Sequence, residues 1–216
     1  MARENNAESP NSLRRAVWFA WLRQDVWAAL QVGRAAMTIW KPKRKLSDLS
    51  SDELAARILY ISAKAVQFAA NHDKDDVGSR IGRGKALLQM LEDWYNMLPP
   101  SFRPIAANTS AAMVEDSDPG RERACGKVFP AIWIHPQSSA SAIQTYHFSR
   151  TIVLLHETTT GGPAAYRAKE RMLSESLYMI CGIASAAQSQ NLASAQCSLQ
   201  ALFAGTTPHL LGVSDS

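Results

Sequence analysis

Only three of the 216 residues are cysteine, Cys125, Cys181 and Cys197, widely spaced and with no C-x-x-C pair among them. That excludes a disulfide framework and a self-contained thiolate zinc module, and it fits a reducing compartment. Glycine (11) and proline (10) are sparse and clustered, while Ala, Leu and Met fill the stretches between them. Helix is therefore expected almost everywhere, and strands have little support. A strong charge of one sign is also missing: 23 Lys and Arg against 19 Asp and Glu leave a formal charge of +4, too mild by itself to argue for nucleic acid. Long apolar runs are lacking as well. Met1 to Ser12 is polar, and the apolar run that follows is broken by Arg23, Gln24 and Asp25, so neither a signal peptide nor a membrane span is expected. Asn108-Thr109-Ser110 matches a glycosylation acceptor but, without a secretory signal, reads as a loop coincidence.

What is present is a folding chain of ordinary composition, 46% hydrophobic and 19% charged, with one domain the better expectation for its length. The basic excess is confined to the first 45 residues, which hold nine basic and three acidic side chains. Apolar spacing predicts five helices. The first runs from about Ser12 to about Ala36, with Trp18, Trp21, Leu22, Val26, Ala29 and Leu30 at three- and four-residue steps. After the break Lys41-Pro42-Lys43-Arg44-Lys45, Ser50 or Ser51 with Asp52 and Glu53 starts a second helix reaching about Ala70, apolar over a wide arc and so buried on most sides. Asn71 to Gly84 is polar, and Leu87, Leu88, Leu91, Trp94, Tyr95 and Leu98 then form a third helix stopped by Pro99-Pro100. Residues 106 to 127 read as a long mobile loop. A fourth helix, about Ser138 to Glu157, is apolar on several faces and therefore central; Thr158 to Pro163 breaks it, and a fifth follows from about Ala164 to Gln190. The expected fold class is all-α, an irregular multi-helix bundle of antiparallel helix pairs.

No catalytic motif survives inspection. Gly78 to Lys85 imitates a phosphate loop, but its glycines are one residue too far apart and Ala86 stands where a Ser or Thr would hold magnesium. His156-Glu157 lacks a second His four residues on, and no G-x-S-x-G exposes a serine. His147 and His156, nine residues apart on one helix, face opposite ways and cannot share a metal within it; each reads as a satisfied core or pocket histidine. A helical enzyme would need His147, His156 and Asp25 in one cleft. Cys181 reads as a small buried hydrophobe. The chain is read as no enzyme, with no cofactor and no metal. Arg23 and Asp25 point about 200° apart, so the R-Q-D string pairs with its surroundings instead of with itself. A hydrophobic pocket among helices two, four and five is the expected place for a small effector. Lys41, Lys43, Arg44 and Lys45 form either a solvated turn or a nuclear import signal, and four cations in one short loop do not specify DNA bases unaided.

Several segments resemble a known family in combination. Ala20-Trp21-Leu22-Arg23-Gln24-Asp25-Val26, then Leu91-Glu92-Asp93-Trp94 with Leu98-Pro99-Pro100-Ser101-Phe102-Arg103-Pro104-Ile105, then Phe129-Pro130-Ala131-Ile132-Trp133 leading to Gln144-Thr145-Tyr146-His147-Phe148, resemble in order and spacing the regulatory region of fungal zinc binuclear cluster transcription factors. The match covers roughly residues 15 to 205. The resemblance implies an all-helical domain far downstream of a six-cysteine zinc head, modulating activation of metabolic genes by sensing a metabolite or by self-association, in the nucleus. Three scattered cysteines cannot supply that head, so specific DNA binding by this chain alone is not expected. The organisation expected is a disordered segment over 1–12, the helical regulatory domain over 13–205 with its mobile loop at 106–128, and a flexible tail over 206–216 where family members continue. The rival reading is a helical protein-interaction scaffold that needs no small molecule.

Overall fold

The computed structural model describes residues 13–37, 40–71, 76–107 and 129–186. The expected disordered start, the flexible tail, most of the long loop, and Cys125 and Cys197 lie outside the described residues. Five α-helices are formed by the described residues: α1 (Leu13–Val32), α2 (Ser51–Ala70), α3 (Val77–Asn96), α4 (Gln137–His156) and α5 (Gly162–Ala186). The protein is an all-α helical bundle. Its only sheet among the described residues is a two-residue antiparallel ribbon, β1 (Ala106–Ala107) and β2 (Ile132–Trp133), with Ala106 opposite Trp133 and Ala107 opposite Ile132.

Helix ends follow from local chemistry. α1 stops at Val32, four residues before its apolar pattern does, because Gly33 takes a left-handed φ of 67°. Its N–H donates to the Leu30 carbonyl and that of Arg34 to the Ala29 carbonyl, the paired bonds of a Schellman end. α2 starts at a capping box: Glu53 N–H donates to the Ser50 hydroxyl, and Ser50 N–H donates to the Glu53 carboxylate. α3 begins ten residues before the expected Leu87, capped by Asp76, whose carboxylate accepts from Ser79 N–H. Those bonds hold the Asp76 carboxyl below its usual range. The phosphate-loop look-alike Gly78 to Lys85 is thus helical, and Gly84 is buried where an added Cβ would lie 3.1 Å from Glu157 Cγ. Close packing there offsets the low helix propensity of glycine.

α4 is the central element: between Ser139 and Leu154 every residue but Ser141 and Arg150 is buried. Cross-contacts set the directions. Gln144 donates to Ile180, His147 meets Ser176 and Arg150 pairs with Glu175, so α4 and α5 are antiparallel. Trp94 Nε1 donates to the Leu54 carbonyl while Arg80 lies over the Phe68 ring, so α2 and α3 are antiparallel too. Arg80 also reaches the His156 carbonyl and Tyr95 stacks on Tyr146, which makes α3 antiparallel to α4. α2 and α4 therefore run parallel, and they share the most extensive interface of the bundle. The pairing of consecutive helices is as expected; the parallel central pair is not visible in a list of neighbours along the chain.

The core divides along that pair. Leu22, Val26 and Ala29 of α1 join Ala65, Val66 and Phe68 with Phe148, Ile152 and Val153 at one end. Leu54, Ile58 and Ile61 join Trp94, Phe102, Ile132, Ile143 and Tyr146 at the other. Burying such side chains is worth about 1.5–3 kcal/mol each and dominates the stability of a bundle of this kind. Trp40 closes the α1–α2 connection by meeting Phe19 and Tyr60 edge-on at 5.8 and 5.7 Å, with the Arg57 guanidinium 5.8 Å from its ring centre.

Candidate functional site

An open cleft of about 430 Å³ lies along α3, α4 and α5. α3 contributes Lys85, Leu88, Gln89 and Glu92 at helical steps of three, one and three residues, hence one face, together with Leu91. α4 contributes Tyr146 and Arg150, one turn apart, and α5 contributes Met172. This cleft is not the pocket expected among α2, α4 and α5: its third wall is α3, and α2 contributes no residue to its lining.

Tyr146 anchors the site. Its ring stacks on Trp94 at 5.8 Å and on Tyr95 at 4.9 Å, and burial pushes its phenol up to about 12, so it stays a neutral hydrogen-bonding group at neutral pH. Arg150 Nη1 donates to Glu175 at 2.9 Å, and Gln89 Nε2 to Asp93 at 2.8 Å, so two polar walls are braced from outside the cleft. Leu88, Leu91 and Met172 are apolar, whereas Lys85 and Arg150 oppose Glu92 in charge. Such a lining suits a small amphiphilic molecule held by shape and a few polar contacts.

Behind the cleft, His147 is buried. Its Nδ1 lies 3.4 Å from the Ser176 hydroxyl, its Nε2 has no hydrogen-bond partner among the described residues, and desolvation, then the Arg150 charge, drive it down to about 3. It is a neutral core imidazole. His156 turns back on its own helix, Nδ1 3.0 Å from the Ile152 carbonyl. Nine residues at 1.5 Å each separate the two histidines by about 13.5 Å along the axis. Asp25 is buried elsewhere, on α1, with Arg34 Nη2 3.4 Å from its carboxylate. The structure does not bring His147, His156 and Asp25 together. No group of three or more metal-ligating side chains stands together among the described residues, and none of their helices is long and apolar enough to cross a membrane. Cys181 is half-buried, and burial pushes its thiol up, against thiolate chemistry.

Of the basic run, Lys41, Lys43 and Lys45 are exposed. Arg44 is used structurally: it donates to Glu53 at 2.6 Å and to the Asp48 carbonyl, and its own carbonyl accepts from Arg57 at 3.1 Å. Sequence reasoning missed two further residues. Arg80 is buried, and its Nε and Nη2 donate to the His156 carbonyl at 2.9 and 2.7 Å, closing the negative end of α4. Lys169 donates to the Glu157 carbonyl and to Thr159, both at 3.0 Å. Burial raises the Glu157 carboxyl beside it, opposed by Lys169 and Lys85. Only the Asp76-x-x-Ser79 cap signals that Arg80 belongs to a helix at all.

Comparison with protein-family models, with curated proteins and with solved structures gave no match.

Proposed function

We propose that this chain is a regulatory, effector-responsive domain of a fungal transcription factor, acting on transcription of metabolic genes in the nucleus and carrying no DNA-binding head of its own. The reading rests on the resemblance of its W-L-R-Q-D, W…L-P-P-S-F-R-P-I and F-P-x-I-W…Y-H-F strings to that family. One observation supports it above others: residues from two of these strings, Trp94 and Phe102 from one and Ile132 and Tyr146 from the other, belong to one packed cluster. Trp94 is fully buried there, with Phe102 edge-on at 6.3 Å. The strings are joints of the bundle, and Tyr146 continues from that joint into the cleft, where a bound molecule would be felt by the core.

The test is a thermal melt of the chain against sugar phosphates, amino acids, organic acids and aromatic acids. A sensor is stabilised saturably by one compound, and the effect is lost in a Lys85→Ala/Met172→Ala variant. If no compound stabilises it while a ligand-free complex with a partner forms, the second reading, a protein-interaction scaffold, takes its place. The exposed apolar face of α1 favours that second reading. Lys41, Lys43, Arg44 and Lys45 serve nuclear import in this proposal; a bulky fluorescent fusion whose nuclear fraction survives their replacement by Ala contradicts it.

A further inference from the structure

α1 carries apolar residues on two opposite sides, and the bundle uses one of them: Leu22, Val26 and Ala29 are buried. On the opposite side Leu13 is 82%, Val17 59% and Trp21 47% exposed. At 100° per residue these three span about 80°, and the exposed Ala20 extends the same stripe. Trp21 is held in place, its ring 5.4 Å from that of Trp18 and tilted by 31°. Trp21 lies at the edge of the stripe beside Trp18, and aromatic side chains of this kind are the usual anchors of a protein interface.

The margins of the stripe carry one sign of charge. Arg14 and Arg23 are nine residues apart and so about 180° apart around the helix, one on each flank. Neither forms an ion pair with a carboxylate among the described residues. The single acid of α1, Asp25, is buried and faces Arg34. A second copy of this face would set arginine margins against each other, whereas carboxylates flanking an apolar stripe would meet both.

We propose that the outer face of α1 is a docking surface for an acidic amphipathic helix of another protein, one with apolar residues at i, i+4 and i+7 and Glu or Asp along both edges. The docking needs neither the cleft nor an effector, so it stands or falls apart from the regulatory reading.

The probes are two fluorescein-labelled synthetic 18-residue amphipathic helices, identical on their leucine face and carrying Glu or Lys on the flanks, titrated with the full chain by anisotropy. The Glu peptide binds at least ten-fold more tightly than the Lys peptide, and raising the salt weakens it. A Val17→Ser/Trp21→Ser variant loses at least ten-fold in that affinity, as does Ala20→Glu alone. Arg14→Glu/Arg23→Glu reverses the preference between peptides. All these positions lie on the outer face, and a thermal melt matching the parent chain certifies each variant. Equal binding of the two peptides, binding of neither, or binding that survives both stripe variants overturns the proposal. So does a dimer of the chain, seen in sedimentation, that Val17→Ser/Trp21→Ser dissolves.

Discussion

His147 is enclosed between α4 and α5 as a neutral imidazole, 4% exposed. Its folded-state value of about 3 lies below the ordinary 6.5, so above pH 6.5 neither state binds a proton there and stability is flat. Between 6.5 and about 3 the unfolded chain takes up the proton and the folded one does not, so stability falls as pH falls. From pH 7 to pH 5 that loss is about 2 kcal/mol. Urea melts at the two pH values should show it for the parent chain and a clearly smaller loss for His147→Gln; equal losses in both would place the acid sensitivity elsewhere. Gly182 makes a second residue-scale prediction. A Cβ there would lie 2.5 Å from Ile132 Cδ1, 2.8 Å from Ile132 Cγ1 and 3.0 Å from the Pro130 carbonyl. Gly182→Ala therefore costs about 1–3 kcal/mol by overpacking. Ile132→Ala in the same chain relieves part of it, so the double variant is less destabilised than the sum of the singles; strict additivity would contradict the contact.

At the scale of elements, the last turn of α4 is closed by cations brought from elsewhere, Arg80 from α3 and Lys169 from α5. Arg80→Met keeps much of the stem over Phe68 but removes both bonds to the His156 carbonyl. The expected cost is about 2–3 kcal/mol, with faster amide exchange concentrated in the α4–α5 connection. Unchanged exchange there would mean the carbonyl finds water at no cost. These same contacts explain what sequence periodicity conveys and what it does not. The start of α2 is legible because Ser50 and Glu53 carry their own instruction, and the centrality of α4 because apolar residues lie on every side of it. The early start of α3 is not legible: Gly78, Gly82 and Gly84 argue against helix, and what holds the turn is Arg80 meeting a residue 76 positions away. The end of α1 has a signal, Gly33, that the apolar pattern through Ala36 masks.

At the scale of the whole molecule, the cleft is a product of how three helices pass one another, so no string of residues announces it. Leu87 to Leu98 reads as an ordinary amphipathic helix, and only the packing of α3 against α4 and α5 brings Lys85, Leu88, Gln89 and Glu92 beside Tyr146, Arg150 and Met172. Leu91, Glu92 and Tyr146 of the cleft's lining lie within the strings that carry the family resemblance, but nothing in those strings marks them as meeting in one cleft. The basic run is among the candidates that motifs supply, and one of its four cations, Arg44, proves to be tied to the start of α2. On α1 the spacing marks the stripe through Leu22, Val26 and Ala29 that the bundle buries, and of the outward face it includes Trp21 alone, because nothing in one sequence tells a core stripe from an outward one.

The central proposal is that this helical bundle modulates transcription, and one reporter measurement tests it most directly. The chain is inserted between an unrelated DNA-binding head and an unrelated activating segment, and output is compared with that of the same fusion without it, across changes of carbon and nitrogen source. The account predicts a reproducible change of output on at least one nutrient shift, abolished by Lys85→Ala/Met172→Ala at an unchanged protein level. Output that tracks the fusion without the chain under every condition would contradict it.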